Sequence, residues 1–186
     1  MTEPAPSAAV AALRARIGTL CRILRLAAPA YAIWVFALLA MHWSDGADVA
    51  RAYGHWLRTE LTDVPIVSRA AGFLVHMVVW GLIVGSCMNL WLLFSGFLAG
   101  RVFTVDTAKC LRRLALFGLA AEAADMISRP ILSALVTLHL PPGSRHIGMF
   151  FQPNDLLNLM FLGGLLALAH IFKVAAEIAE DHAAIV

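Results

Sequence analysis

Hydrophobic positions along this chain gather into four long runs separated by short polar stretches. Their apolar cores are Leu26 to Trp43, Ala70 to Gly100, Leu114 to Leu140 and Leu156 to Ala176. A helix needs about 20 mostly apolar residues to cross a bilayer, where backbone N–H and C=O groups must find partners inside the protein. The four runs are near or above that length, and the second is long enough to tilt. No apolar–polar alternation of a strand competes, and even Ile and Val sit within helix-length runs. The pattern predicts an all-α integral membrane protein, one membrane domain built as a four-transmembrane-helix bundle. The predicted spans cover about residues 20–43, 68–100, 108–140 and 155–178. Residues 1–19, with Pro4 and Pro6, are expected to be a mobile cytoplasmic tail.

The segment Asp48 to Leu61 has helical period, with Tyr53, Trp56 and Leu57 apolar and Arg51, Arg58 and Glu60 polar. It predicts a short helix on the outer membrane surface between spans one and two, ended by Asp63 and Pro65. Pro141-Pro142-Gly143-Ser144 is a turn-forming cluster between spans three and four.

Charge then orients the spans. Nine Lys or Arg flank one side: Arg14, Arg16, Arg22 and Arg25, then Arg101, Lys109, Arg112 and Arg113, and Lys173. Four lie on the other, Arg51, Arg58, Arg69 and Arg145, and Arg129 is intramembrane. The excess places both termini in the cytoplasm. Span one has the basic start of a signal peptide, but bulky Met41-His42-Trp43 offers no small-residue cleavage site, so it reads as a retained anchor. Composition agrees with the pattern: 61% of residues are hydrophobic and 14% charged, against about 45–50% and 25% in soluble domains. A soluble monomer and a disordered chain are both excluded. With 14 Lys and Arg against 12 Asp and Glu, nothing suggests direct nucleic-acid binding. Cys21, Cys87 and Cys110 are odd in number and lack C-x-x-C spacing, which argues for packing rather than disulfide or zinc roles.

The chemistry worth weighing lies in span three. Glu122, Asp125 and Arg129 fall within about 60° of one another around the helix, on one face with Ala115, Gly118 and Ser133. Each charge costs about 2.5–3.5 kcal/mol near a helix centre in lipid, so the stripe must face protein or water. It reads either as an internal ion-pair network, Asp125 with Arg129 and Glu122 alongside, or as a proton or ion relay. Arg129-Pro130 adds an expected kink. His76, about 10 Å from the outer boundary, and His170, about 21 Å deep and near the level of Glu122, extend the candidate polar site. Their depths differ too much to share one haem iron. In span two, Gly81, Gly85, Asn89, Gly96 and Gly100 form a small-residue stripe suited to close helix packing, with Asn89 able to bond across it. His42, His55, His139 and His146 match no metal-ligand motif, and no Walker, G-x-S-x-G, H-E-x-x-H or C-x-x-C-H pattern occurs. No cofactor, metal site or catalytic residue is expected.

Two further stretches carry a resemblance. The loop from Gly100 to Gly118 includes Gly100, Phe103, Thr104, Leu111, Arg112 and Arg113, and the ending includes Ile171, Phe172, Ala175, Ile178, Glu180 and Asp181. These match the G-x-x-F-T…L-R-R-x-G loop and I-F-x-x-(A/G)-x-x-(I/L)-x-E-D ending of the bacterial four-helix membrane family catalogued as domain of unknown function 2975. The chain resembles that family over most of spans two to four, with Ala115 where a Gly is often seen. The resemblance implies a plasma-membrane protein without established activity. Its members are often encoded beside small helix-turn-helix regulators, which implies sensing coupled to a cytoplasmic partner. Thr104, with Thr107 as the alternative, is placed to cap the start of span three. Arg112 and Arg113 could meet Glu177, Glu180 and Asp181, either as a clamp between spans three and four or as a partner-docking surface. The functional expectation is a non-enzymatic membrane accessory, sensor or interaction protein, embedded in lipid and bound to another membrane or cytoplasmic protein. A small proton- or ion-coupled transporter component, using Glu122, Asp125 and Arg129, is the alternative, and a redox or metal-handling subunit the weaker one.

Overall fold

The computed structural model describes the backbone of residues 8–184 except 62, 101–103, 142, 146 and 150, and the side chains between residues 17 and 178. Five helices make up the chain: α1 (Ala8–Ser44), α2 (Gly46–Leu57), α3 (Ile66–Leu98), α4 (Val105–Thr137) and α5 (Pro153–Ala184). No strand occurs among the described residues. Three helical segments, Ile17–Ser44, Ile66–Leu98 and Pro153–Ile178, are long and apolar enough to cross a membrane. Helix α4 has 33 residues, as many as α3, but its three mid-helix charges and basic first turns set it apart from those three.

The helix starts follow local chemistry. Thr104, extended at φ −131° and ψ 153°, caps α4 and accepts from the Thr107 amide at 3.3 Å, as the loop motif suggests. Asp45 caps α2 in the same way, accepting from the Ala47 amide at 2.9 Å. That cap starts α2 earlier than Asp48. The helix also ends earlier than expected, at Leu57: Arg58 turns left-handed at φ 52° and the Thr59 amide closes onto the Gly54 carbonyl at 3.1 Å. Asp63 and Pro65 lie beyond it. Within the expected tail, residues 8–19 are already helical. Their Ala-rich sequence favours helix intrinsically. Pro4 and Pro6 lie outside the described residues. Helix α4 runs through Pro130 without interruption, and Ser133 Oγ donates to the Pro130 carbonyl at 2.9 Å.

The long helices pack side by side in an open row. Helix α1 packs on α3, α3 on α4 and α4 on α5, while the backbones of α1 and α4, α1 and α5, and α3 and α5 do not come close together among the described residues. Trp80 Nε1 donates to the Ala32 carbonyl at 3.0 Å across the first pair, and Ser86 Oγ to the Leu114 carbonyl at 3.2 Å across the second. The ends of the row keep large apolar side chains exposed, such as Ile33 and Trp34 on α1 and Met160 and Phe161 on α5. In hydrocarbon such faces need no protein cover, so nothing forces the row to close.

Two apolar clusters brace the row. One, at the end where α2 lies, joins Trp43, Val49, Ala50, Val64, Leu132 and Val136. The other, toward the opposite end, joins Leu93, Leu111 and Ala169 of α3, α4 and α5. Close approach in this row depends on three glycines. A Cβ on Gly72 would overlap the Trp43 ring, one on Gly85 would lie 2.6 Å from Phe117, and one on Gly118 would lie 2.6 Å from Leu162. The expected span-two stripe is engaged in part within this chain. Only Gly85 of that set is shown making such a contact, while Gly81 and Gly100 have open space around them. Gly100 instead takes φ 77° in the turn after α3. Asn89 is buried but donates within its own helix, to the Gly85 carbonyl at 2.8 Å.

A candidate ligand cavity beside the charged stripe

Helix α4 aims its charged face toward the start of α5. Arg129 reaches Asp125 one turn back, with Nε and Nη2 at 3.1 and 2.8 Å from Oδ2. It also grips Asp155 in the first turn of α5, Nη1 to Oδ2 at 2.6 Å and Nη2 to Oδ1 at 2.7 Å. This two-bond fork is the geometry in which a guanidinium binds a carboxylate best. Asp155 is 3% exposed and also accepts from the Gln152 amide at 2.8 Å. Asp125 differs: its side chain is 37% exposed, and its Oδ1 takes no hydrogen bond among the described residues.

The expected pairing of Asp125 with Arg129 is present, but Glu122 is not part of it. Glu122 accepts from Asn158 Nδ2 of α5 at 3.1 Å. Asp155 was the member sequence reasoning missed. An acidic residue in the first turn of an otherwise apolar helix was a visible signal, yet only the antiparallel register of α4 and α5 shows that it meets Arg129.

Beside this network lies a cavity of about 400 Å³, a size suited to a small organic molecule. Its walls include His42 from α1, Tyr53 and Trp56 from α2, His76 from α3, and Asp125, Ser128, Arg129 and Ser133 from α4, with Gln152 at its edge. Four of these carry aromatic rings. Trp43 supports the rings from behind, with centroids 5.5 Å from His42, 6.1 Å from Tyr53 and 5.6 Å from His76. His42 Nδ1 is held 3.1 Å from Asp48 Oδ2. Burial, and then the negative charge of Asp125, hold the Tyr53 phenol above the ordinary tyrosine range. It is therefore a neutral hydroxyl throughout the physiological range. The 295 nm phenolate signal of Tyr53, read as the difference between the wild type and Tyr53→Phe, is expected only above about pH 10. The unfolded chain releases that proton earlier, so stability should fall as pH rises past that point, and less in Tyr53→Phe.

A second void, of about 330 Å³, is lined by Tyr31, Val79, Ser86, Cys87, Glu122 and Asp125 among others. Asp125 thus borders both spaces, and Glu122 only the second.

The other candidate residues are placed elsewhere. His76 joins Asp125 and Arg129 in the first cavity, but His170 does not lie level with Glu122. Because Asn158 meets Glu122 and Leu162 seats on Gly118, His170 lies about 18 Å further along α5. It is exposed and lines a groove with Lys109, Arg112 and Lys173. Of the expected clamp, only the part through Glu177 falls within the described residues. Arg112 and Arg113 are exposed and form no ion pair among the described residues, while Glu177 pairs with Lys173 of its own helix at 3.4 Å. The i,i+4 spacing makes that local pair easier to form than one between helices. The side chains of Glu180 and Asp181 lie outside the described residues, as do Arg101 and Phe103 of the loop motif. Gly96 adds no feature to either cavity's lining. Among the described residues, no group of three or more His, Cys, Asp or Glu gathers as a metal site. No family model, curated protein or solved structure matches the chain.

Proposed function

We propose that this chain is a non-enzymatic sensor or interaction protein of a bacterial plasma membrane, and that the cavity under α2 is where it receives a ligand. The observation that carries this reading is the cavity itself, with hydrogen-bonding groups and aromatic rings from four helices converging on one small-molecule-sized space. In this proposal α4 is the fourth span, both termini are cytoplasmic and α2 rests on the outer surface, as the Lys and Arg distribution favours. The opposite end of the row, with Lys109, Arg112 and Arg113, then faces the cytoplasm and a protein partner. The resemblance to the domain-of-unknown-function-2975 family supports the same arrangement.

A second reading rests on one observation: Asp125 borders two voids, the second of which also touches Glu122. That is the placement a proton relay needs. One experiment separates the two. Proteoliposomes carrying the full-length protein and an internal pH dye should show no proton flux above empty vesicles if the chain is a sensor. Flux that disappears with Asp125→Asn or Glu122→Gln would contradict the sensor and support the relay. In cells, a cysteine at Ala47 should be labelled from outside, and labelling only from the cytoplasm would contradict the orientation.

A further inference from the structure

The cavity's electrostatics select a class of ligand. Arg129 carries a positive charge, but its guanidinium already bonds both Asp155 and Asp125. Arg129 brings one positive charge to the two carboxylates it bridges, Asp155 and Asp125, so the trio keeps one negative charge in surplus. The other titratable groups facing the space are the imidazoles of His42 and His76 and the Tyr53 phenol; His42 is already held by Asp48, and Asp48 lies 3.8 Å from Arg51. That surplus reaches the cavity at Asp125, whose Oδ1 accepts no hydrogen bond among the described residues. Tyr53 and Trp56 add the two electron-rich faces that attract cations.

We infer that the cavity binds a small organic cation, a primary or secondary ammonium whose N–H groups reach Asp125 Oδ1 while its apolar body lies against Tyr53 and Trp56. This rests on the cavity being the ligand site and narrows it to a chemical class. An anion would meet an occupied guanidinium and the open Oδ1 of a carboxylate. A neutral molecule would keep the aromatic contact and lose the charge-assisted bond.

The test uses the full-length protein in nanodiscs, titrated by calorimetry with three probes of similar size: phenethylammonium, phenethyl alcohol and phenylacetate. Phenethylammonium should saturate one site and bind more tightly than the other two. Asp125→Asn, nearly the same shape, should weaken it by about 10- to 100-fold, the loss expected of a hydrogen bond to a charged group. Trp56→Leu provides a second readout should Asp125→Asn fold poorly. It should weaken phenethylammonium roughly threefold to tenfold more than phenethyl alcohol, and Trp56→Phe should restore most of that. Equal or tighter binding of phenylacetate, or ammonium binding indifferent to both substitutions, would overturn the cation assignment. If phenylacetate or the alcohol saturates a site that Trp56→Leu disturbs, the cavity remains a ligand site of another class. Saturable binding of none of the three would count against both the cation and the cavity.

Discussion

Arg129→Met should destabilise the folded protein by roughly 3–5 kcal/mol, the largest effect expected of any single substitution here. The reason is not the loss of the pair as such. Asp155 is 3% exposed and accepts two of its hydrogen bonds from Arg129, so the variant leaves a buried carboxylate with only the Gln152 amide. Asp125, being partly exposed to the cavity, suffers less. Removing the charges together should recover most of the loss: Arg129→Met with Asp155→Leu and Asp125→Asn leaves no unpaired ion. Thermal or denaturant unfolding in one detergent, compared across the single and combined variants, reads this directly. A combined variant no more stable than Arg129→Met alone would contradict the account of Arg129 as a neutralising link between α4 and α5.

Trp43→Ala is expected to cost nearly as much, about 3–5 kcal/mol, the usual range for truncating a buried tryptophan. Trp43 is 5% exposed at the end of α1, where it fills the space between α2, α3 and α4 and backs the rings of His42, Tyr53 and His76. Its packing also explains Gly72, whose missing side chain lets the indole lie on the α3 backbone. Gly72→Ala should therefore be harmful with Trp43 present, because the ring is enclosed and has little room to shift. With Trp43→Phe the same Gly72→Ala should cost clearly less, a coupling that a double-mutant cycle measures. Additive effects would mean that the two residues do not share a contact.

How much of this could be read from the sequence follows from the range of the forces involved. Helix content was legible because apolar runs and caps act within a few residues: Thr104 caps α4, and α3, α4 and α5 begin within about three residues of the expected spans. The Asp125–Arg129 pair was legible because i,i+4 neighbours are fixed by helical geometry. Whatever depended on the register between helices was not. Asp155 and Asn158 lie in α5, and only the antiparallel packing brings them to Arg129 and Glu122. His170, read by depth alone, was set about three turns too close to Glu122 for the same reason. The open row was also invisible, since α1 and α5 are apolar on nearly every side and such helices carry no record of which face meets protein. Of the cavity walls, the α4 stripe and His76 could be singled out, whereas Tyr53 and Trp56 read only as membrane-surface residues.

The central claim is that an aqueous cavity under α2 reaches the charged stripe of α4 from one side of the membrane. Ser128 lines that cavity and lies next to Arg129. A Ser128→Cys variant, with Cys21, Cys87 and Cys110 replaced by alanine, offers one thiol there. In sealed vesicles of known orientation, aminoethyl methanethiosulfonate, a small cation, should modify it when added on the α2 side and not when added on the other. Modification from the opposite side only, or none while a cysteine at Ala47 in the same background reacts, would contradict the claim.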